Sequence, residues 1–126
     1  MKATVLGGGS WGTAVAAQLA REGHQVELWL REPALAEAIE ARRENPAYLP
    51  GETLPDGLRA TTELAAAVAG TEVVVSAVPS QASRAVWNRL AALLPAGVPL
   101  VSATKGIELE SLKRMSQLAA EVLPGH

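Results

Sequence analysis

The sequence predicts an open α/β domain, a doubly wound parallel sheet of about five strands with helices on both faces. Short β-branched runs alternate with helical apolar stripes, Gly, Pro, Ser or Thr separates each pair, and a G-x-G-x-x-G spacing joins the first strand to the first helix. Strands that alternate with helices run parallel, because each crossover returns the chain to the same end of the sheet. A length of 126 residues fits one domain, taken here as residues 1–126.

The first strand is KATVL (2–6), and its helix runs from about Gly12 to Arg21 with Gly23 as the C-terminal cap. QVELWL (25–30) is the second strand. Pro33 suits a first helical turn, and ALAEAIEARR carries that helix to about Arg43. The stretch ENPAYLPGETLPDG (44–57) reads as an irregular loop long enough to have a functional reason. LRAT (58–61) is a short strand, Thr62 the expected N-cap of ELAAAVA, and Gly70 the end of that helix. EVVVSAV (72–78) is the fourth strand. The helix after Pro79-Ser80 is expected to face the sheet with Ala82, Val86, Leu90 and Leu93. PLVSA opens the fifth strand, and the last helix is expected to show Leu112, Met115, Ala119 and Val122 on one stripe. Glu108 and Glu110 are read as favouring that helix's dipole, Trp29 and Trp87 as core, His24 as a surface or packing residue, and His126 as a disordered terminus.

Composition bounds the function. Hydrophobic residues make up 48% and charged residues 19%, and a net charge of −2 gives no general attraction to nucleic acid or to an anionic membrane. Neither partner is expected, and any anion site must be local. No cysteine and two histidines leave no thiolate chemistry, Ser-His-Asp triad or His-rich metal site to assemble, so no metal is expected. No apolar run reaches signal-peptide or membrane-spanning length, and with the missing cysteines this points to the cytoplasm.

The glycine turn VLGGGSWGTAVAAQLA supplies that local site. Gly7 allows the tight turn off the strand, Gly9 admits a diphosphate to the backbone, and Gly12 lets the helix pack closely. The helix's first amides and its dipole then favour an anion, which makes this a Rossmann-like dinucleotide site. At the end of the second strand, about 20 residues on, an acid would hold the ribose 2′-hydroxyl of NAD. This chain has Leu30-Arg31 there. The guanidinium can pair with a 2′-phosphate or stack on adenine, which favours NADP over NAD; the competing reading is a solvated charge beside Glu32. Ligands of such a sheet bind beyond the strands' carboxyl ends, where the glycine turn, Pro79 in VPSQ and Lys105 in ATKG all gather. There Lys105 can hold a substrate phosphate or stabilise charge growing on a carbonyl oxygen, unless it is a solvated lysine of a βα turn.

VLGGGSWGTAVA, VELWLRE, RENPAYLPGETLP, VSAVPSQASR and SATKGIE together resemble the N-terminal domain of bacterial-type NAD(P)-dependent glycerol-3-phosphate dehydrogenase, in the family's order and almost end to end. The resemblance implies that Ser10 and Trp11 help bind the cofactor, Arg31 sits by the adenosine phosphate, Tyr48 lies near the cofactor, and Lys105 contacts both cofactor and glycerol 3-phosphate. The implied reaction is reduction of dihydroxyacetone phosphate by NAD(P)H, feeding phospholipid synthesis. It also implies a mostly helical second domain, outside this chain, that supplies the proton-transfer lysine and most phosphate-binding groups. Without it the chain is expected to bind cofactor but not turn over, and a bare fifth strand would allow self-association into a homodimer. The family commonly has alanine where this chain has Gly8. Two other readings stand beside this one: another dehydrogenase of the superfamily, such as a 2-hydroxyacid or ketopantoate reductase, and a free-standing nucleotide-binding module.

Overall fold

The computed structural model describes residues 1–126. Five strands and five helices alternate: β1 (Lys2–Leu6), α1 (Ser10–Arg21), β2 (Gln25–Trp29), α2 (Pro33–Arg42), β3 (Leu58–Thr61), α3 (Leu64–Val68), β4 (Val73–Ser76), α4 (Ser80–Ala91), β5 (Leu100–Ser102) and α5 (Met115–Val122). All pairings are parallel, in the order β3-β2-β1-β4-β5. The chain builds outward from β1 to β3, then crosses back to lay β4 on the other side of β1. Leu6 pairs with both Trp29 and Ser76, so β1, β2 and β4 end level with one another.

Alternate side chains of each strand feed opposite faces, which divides the core in two. Val5, Val26 and Leu28 meet Ala16, Ala17, Ala20 and Ile39 of α1 and α2. Leu6, Trp29 and Val74 meet Leu64 and Val68 of α3, Trp87 and Leu90 of α4, and Leu118 of α5. The alanine face of α1 brings that helix near the sheet, whereas the second layer is filled by two tryptophans. Each buried indole is satisfied: Trp87 Nε1 donates to Ser76 Oγ at 2.9 Å and Trp29 Nε1 to the Thr62 carbonyl at 2.9 Å.

Several expectations shift once packing is known. Helix α1 begins at Ser10, with Gly9 as N-cap, instead of at Gly12. Thr62 does not cap α3; its carbonyl serves Trp29, the Glu63 amide bonds to Thr61 Oγ1 at 3.0 Å, and Glu63 takes the cap position of a five-residue helix. On α4 the buried stripe is Ser83, Val86, Trp87 and Leu90, continued by Leu94, while Leu93 is exposed because the helix has already ended at Ala91. Leu112 is exposed at φ 58°, three residues before α5, whose buried residues are Met115 and Leu118, with the expected Ala119 and Val122 partly buried against the same core. His126 is half-buried, its Nδ1 2.7 Å from the Val98 carbonyl oxygen, which ties the C-terminus to the segment leading into β5.

Two tight approaches fix the start of α1. Gly7 adopts φ +112°, and a Cβ there would lie 2.8 Å from the Ala77 carbonyl oxygen; a Cβ on Gly12 would lie 1.9 Å from the Gly7 carbonyl oxygen. No side chain fits at Gly12 without moving the helix off the turn. Gly12→Ala is therefore expected to destabilise the fold by about 1–3 kcal/mol, the usual range for overpacking. Urea denaturation measures this, and an unchanged midpoint would contradict the close packing.

Candidate functional site: a cleft across the carboxyl edge of the sheet

At Gly9 the demand for glycine has a different source. Its backbone (φ −74°, ψ −173°) suits any residue, and nothing lies within 4 Å of where a Cβ would stand. Neither strain nor protein packing excludes a side chain there, so the open space in front of it is what the glycine preserves. The first backbone hydrogen bond of α1 runs from the Thr13 amide to the Gly9 carbonyl at 3.0 Å, and no side chain caps the helix. That leaves the amides of Ser10, Trp11 and Gly12 as free donors beside the open space. An anion such as a diphosphate suits such a cradle by charge and donor set.

The loop 44–57 braces this turn. Asn45, fully buried, donates from Nδ2 to the Gly8 carbonyl and to Thr13 Oγ1, each at 2.9 Å, while its Oδ1 accepts the Tyr48 amide at 3.0 Å. Ser10 Oγ donates to the Tyr48 carbonyl at 2.7 Å. Ser10 and Tyr48, which the family resemblance implies lie at the cofactor, are thus in contact, and the Ser10 hydroxyl is engaged with the loop. Gly8 also has a steric reason: a Cβ there would stand 2.8 Å from Leu30 Cβ, so alanine and Leu30 compete for the same space.

Two clefts flank the turn and meet at residues 77–79. One, of about 290 Å³, is lined by Gly7, Gly8, Gly9, Leu30, Arg31 and Tyr48 among others. The other, of about 410 Å³, is lined by Trp11, Ser80, Thr104 and Lys105, and Pro79 walls both. Arg31 and Lys105 therefore stand at opposite ends of one edge, with the free amides between them. Both side chains are exposed. Trp11 is 60% exposed, a large ring facing solvent beside Lys105.

The Lys105 loop lacks regular structure yet is held at many points. Thr104 Oγ1 donates to the Val78 carbonyl at 2.6 Å, and Gln81 bonds on both sides of Glu108, from Nε2 to the Ile107 carbonyl at 2.9 Å and at Oε1 from the Leu109 amide at 3.1 Å. Arg84 makes a bidentate pair with Glu108, at 2.7 and 2.9 Å, and reaches Glu121 of α5 at 2.6 Å. Lys113 also pairs with Glu121 at 2.5 Å. Hydrogen bonds from Arg84 and then Ser111 hold the Glu108 carboxyl at about 2, below its ordinary 4.5. Glu121 is lowered by Lys113 and Arg84 in the same way, and Arg84 is raised in return. Glu108 does not serve the dipole of α5, which begins seven residues later; it is the anchor of the Lys105 loop. Glu110 is exposed on the same loop and is likewise outside the helix's first turn.

Residues 2–126 match the family described as NAD-dependent glycerol-3-phosphate dehydrogenase N-terminus. The chain belongs to that family. It is 52% identical over 122 residues to a glycerol-3-phosphate dehydrogenase [NAD(P)+] of Stenotrophomonas maltophilia, covering 97% of this chain and 36% of the relative. It is 52% identical over 120 residues to the enzyme of that name from Azotobacter vinelandii, covering 95% of this chain and 35% of the relative. The solved structure of a glycerol-3-phosphate dehydrogenase from Coxiella burnetii superposes with a TM-score of 0.92 at 34% identity, over 97% of this chain and 37% of that one. The chain thus spans about a third of the length of the relatives it matches.

Within this glycerol-3-phosphate dehydrogenase domain, the sequence points to residues that line the two clefts, Gly7, Gly9, Arg31, Tyr48, Trp11, Pro79 and Lys105, but not to the bracing ones. Asn45 gave no signal beyond its place in an irregular loop. Arg84 and Glu108 lie 24 positions apart, and only the packing of α4 against the loop brings them together. Because the folded carboxyl of Glu108 titrates lower than the unfolded one, its contribution is fully present above about 4.5 and fades as the pH falls toward about 2. A Glu108→Gln variant should be less stable than the parent at neutral pH, and the gap should close across that acid window in urea titrations. A constant gap would remove the ion pair as its cause.

Proposed function

We infer that this chain is the cofactor-holding domain of an NAD(P)H-dependent glycerol-3-phosphate dehydrogenase, which reduces dihydroxyacetone phosphate to sn-glycerol 3-phosphate. The observation that supports it most directly is the space at Gly9, faced by three unpartnered amides and flanked by a cation at each end. NAD(P)H, when bound, supplies the hydride. The amides of Ser10, Trp11 and Gly12 hold the diphosphate. Arg31 serves the adenosine end, where Leu30 offers no acceptor for ribose hydroxyls, and NADP is favoured over NAD. Lys105, exposed in the second cleft, either binds the substrate phosphate or stabilises negative charge at the carbonyl oxygen. Trp11 and Pro79 form apolar walls of that cleft.

The family match favours this reaction over that of a 2-hydroxyacid or ketopantoate reductase. A second, mostly helical domain supplying the proton-transfer lysine belongs to the same reading, as does a role in phospholipid precursor synthesis in the cytoplasm. No helix is long and apolar enough to cross a membrane. β5 at the sheet's edge offers unpaired main-chain groups through which two copies would associate.

Calorimetric titration of this chain with NADPH and NADH tests the reading, with heat expected from both and tighter binding of NADPH. Gly9→Val should weaken both by at least about tenfold while leaving stability within about 1 kcal/mol, since the side chain enters only open space. Retained affinity in that variant would show that nothing approaches Gly9. Arg31→Ala should weaken NADPH much more than NADH. Turnover of dihydroxyacetone phosphate by this chain alone should be negligible in a coupled absorbance assay, and robust turnover would remove the need for a second domain.

A further inference from the structure

Beyond Arg31, a second guanidinium faces the adenosine end of the cleft. Arg89, in the last turn of α4, has its guanidinium carbon 5.6 Å from the centroid of the Trp29 ring. Trp29 is the last residue of β2 and is 1% exposed, so the ring is a fixed platform, and its N–H is already engaged with Thr62. The arrangement is a cation–π contact that restrains an otherwise flexible arm while leaving its donors in solvent. Arg31 and Arg89 line one open cleft of about 450 Å³. That cleft shares Trp29, Arg31, Pro79, Ala82 and Val86 with the cleft at the glycine turn, so the two are continuous.

Neither guanidinium has a carboxylate within 4.0 Å, although Arg84, earlier on α4, is fully paired. Glu32 is the one acidic residue on the connected cleft walls, lining the inner part. Two cations left free together, on a chain of net charge −2, make a local anion site. Guanidinium groups suit a phosphate monoester, whose oxygens accept paired N–H donors. The diphosphate cradle lies at the other end of the cleft, on the glycine turn, so the anion for this pair is a separate phosphate. On a dinucleotide laid from the glycine turn over the end of β2, the group available there is the adenosine 2′-phosphate.

Building on the cofactor-binding reading above, we propose that Arg89 forms with Arg31 a two-arginine site for the adenosine 2′-phosphate and makes NADPH the preferred coenzyme. Arg89 is a specificity residue supplied by α4, outside the β2 turn where such residues are read from sequence. The site takes any adenosine 2′-phosphate, with or without the nicotinamide half.

Calorimetry at fixed ionic strength on the parent, Arg89→Gln and Arg89→Lys, using NADPH, NADH, adenosine 2′,5′-bisphosphate and 5′-AMP, tests this. Arg89→Gln should raise the Kd of the two 2′-phosphorylated ligands by about tenfold and shift the other two by less than about twofold. Arg89→Lys, which keeps the charge but not the planar donors, should fall between. Equal losses for NADPH and NADH would assign Arg89 to the adenine ring and overturn the proposal, and so would no loss for either. Failure of the parent to bind either coenzyme would instead overturn the cofactor-binding reading on which the proposal stands. Arg89 is exposed, so the variants are expected to fold, and circular dichroism confirms it before titration.

Discussion

The close seating of α1 on the turn that precedes it governs the rest of the site. With only 1.9 Å between the Gly7 carbonyl oxygen and the place of a Gly12 Cβ, the helix is held where any other residue would push it away. Gly7 is pressed in turn against the Ala77 carbonyl of the neighbouring β4–α4 connection. The orientation of α1 is thereby set by backbone against backbone, with no side chain to adjust. Its free amides project over the carboxyl ends of β1, β2 and β4, which register brings level. Asn45 finishes the brace by using both ends of its amide on the turn and on the Tyr48 loop. A buried side chain so fully bonded fixes one geometry, because every alternative leaves a polar group unpaired.

Charge on this molecule is arranged by pairing some cations and leaving others alone. Arg84, Lys113, Glu108 and Glu121 neutralise one another across α4, α5 and the loop between β5 and α5. Lys105 is carried on that same loop and stays unpaired, as do Arg31 and Arg89 at the other end of the cleft. Positive charge thus remains at both ends of the cleft although the chain as a whole is acidic. The ion-paired residues position; the unpaired ones are available to a ligand. Gln81 contributes to the first group through two hydrogen bonds to the loop's backbone, which carry no charge but fix its path.

Readings that rested on local pattern held where the pattern was long and faltered near element ends. Leu93 and Leu112 both lie at helical spacing from buried neighbours, yet both fall outside the helix, where the periodic rule no longer applies. Thr62 had the right chemistry for a cap, but its carbonyl is taken by a tryptophan from β2 and the helix starts two residues later. Glu108 looked like a residue answering a helix dipole; its partner is an arginine far away in the chain. The Thr62 and Glu108 differences come from contacts between segments distant in sequence, and local propensity carries no information about such contacts.

The alternation of strand and helix, the parallel sheet, the glycine turn and the edge on which Arg31, Pro79 and Lys105 gather were all determined by the sequence itself. They follow from periodicity, backbone freedom and chain direction, which are properties of neighbouring residues. Tertiary structure alone decided that Asn45 braces the turn, that Gly8 yields to Leu30, that Glu108 anchors the lysine's loop, and that Arg89 rests on Trp29 beside Arg31. Those are meetings of side chains from separate elements, and they exist only once the sheet's order and the helices' packing have been set.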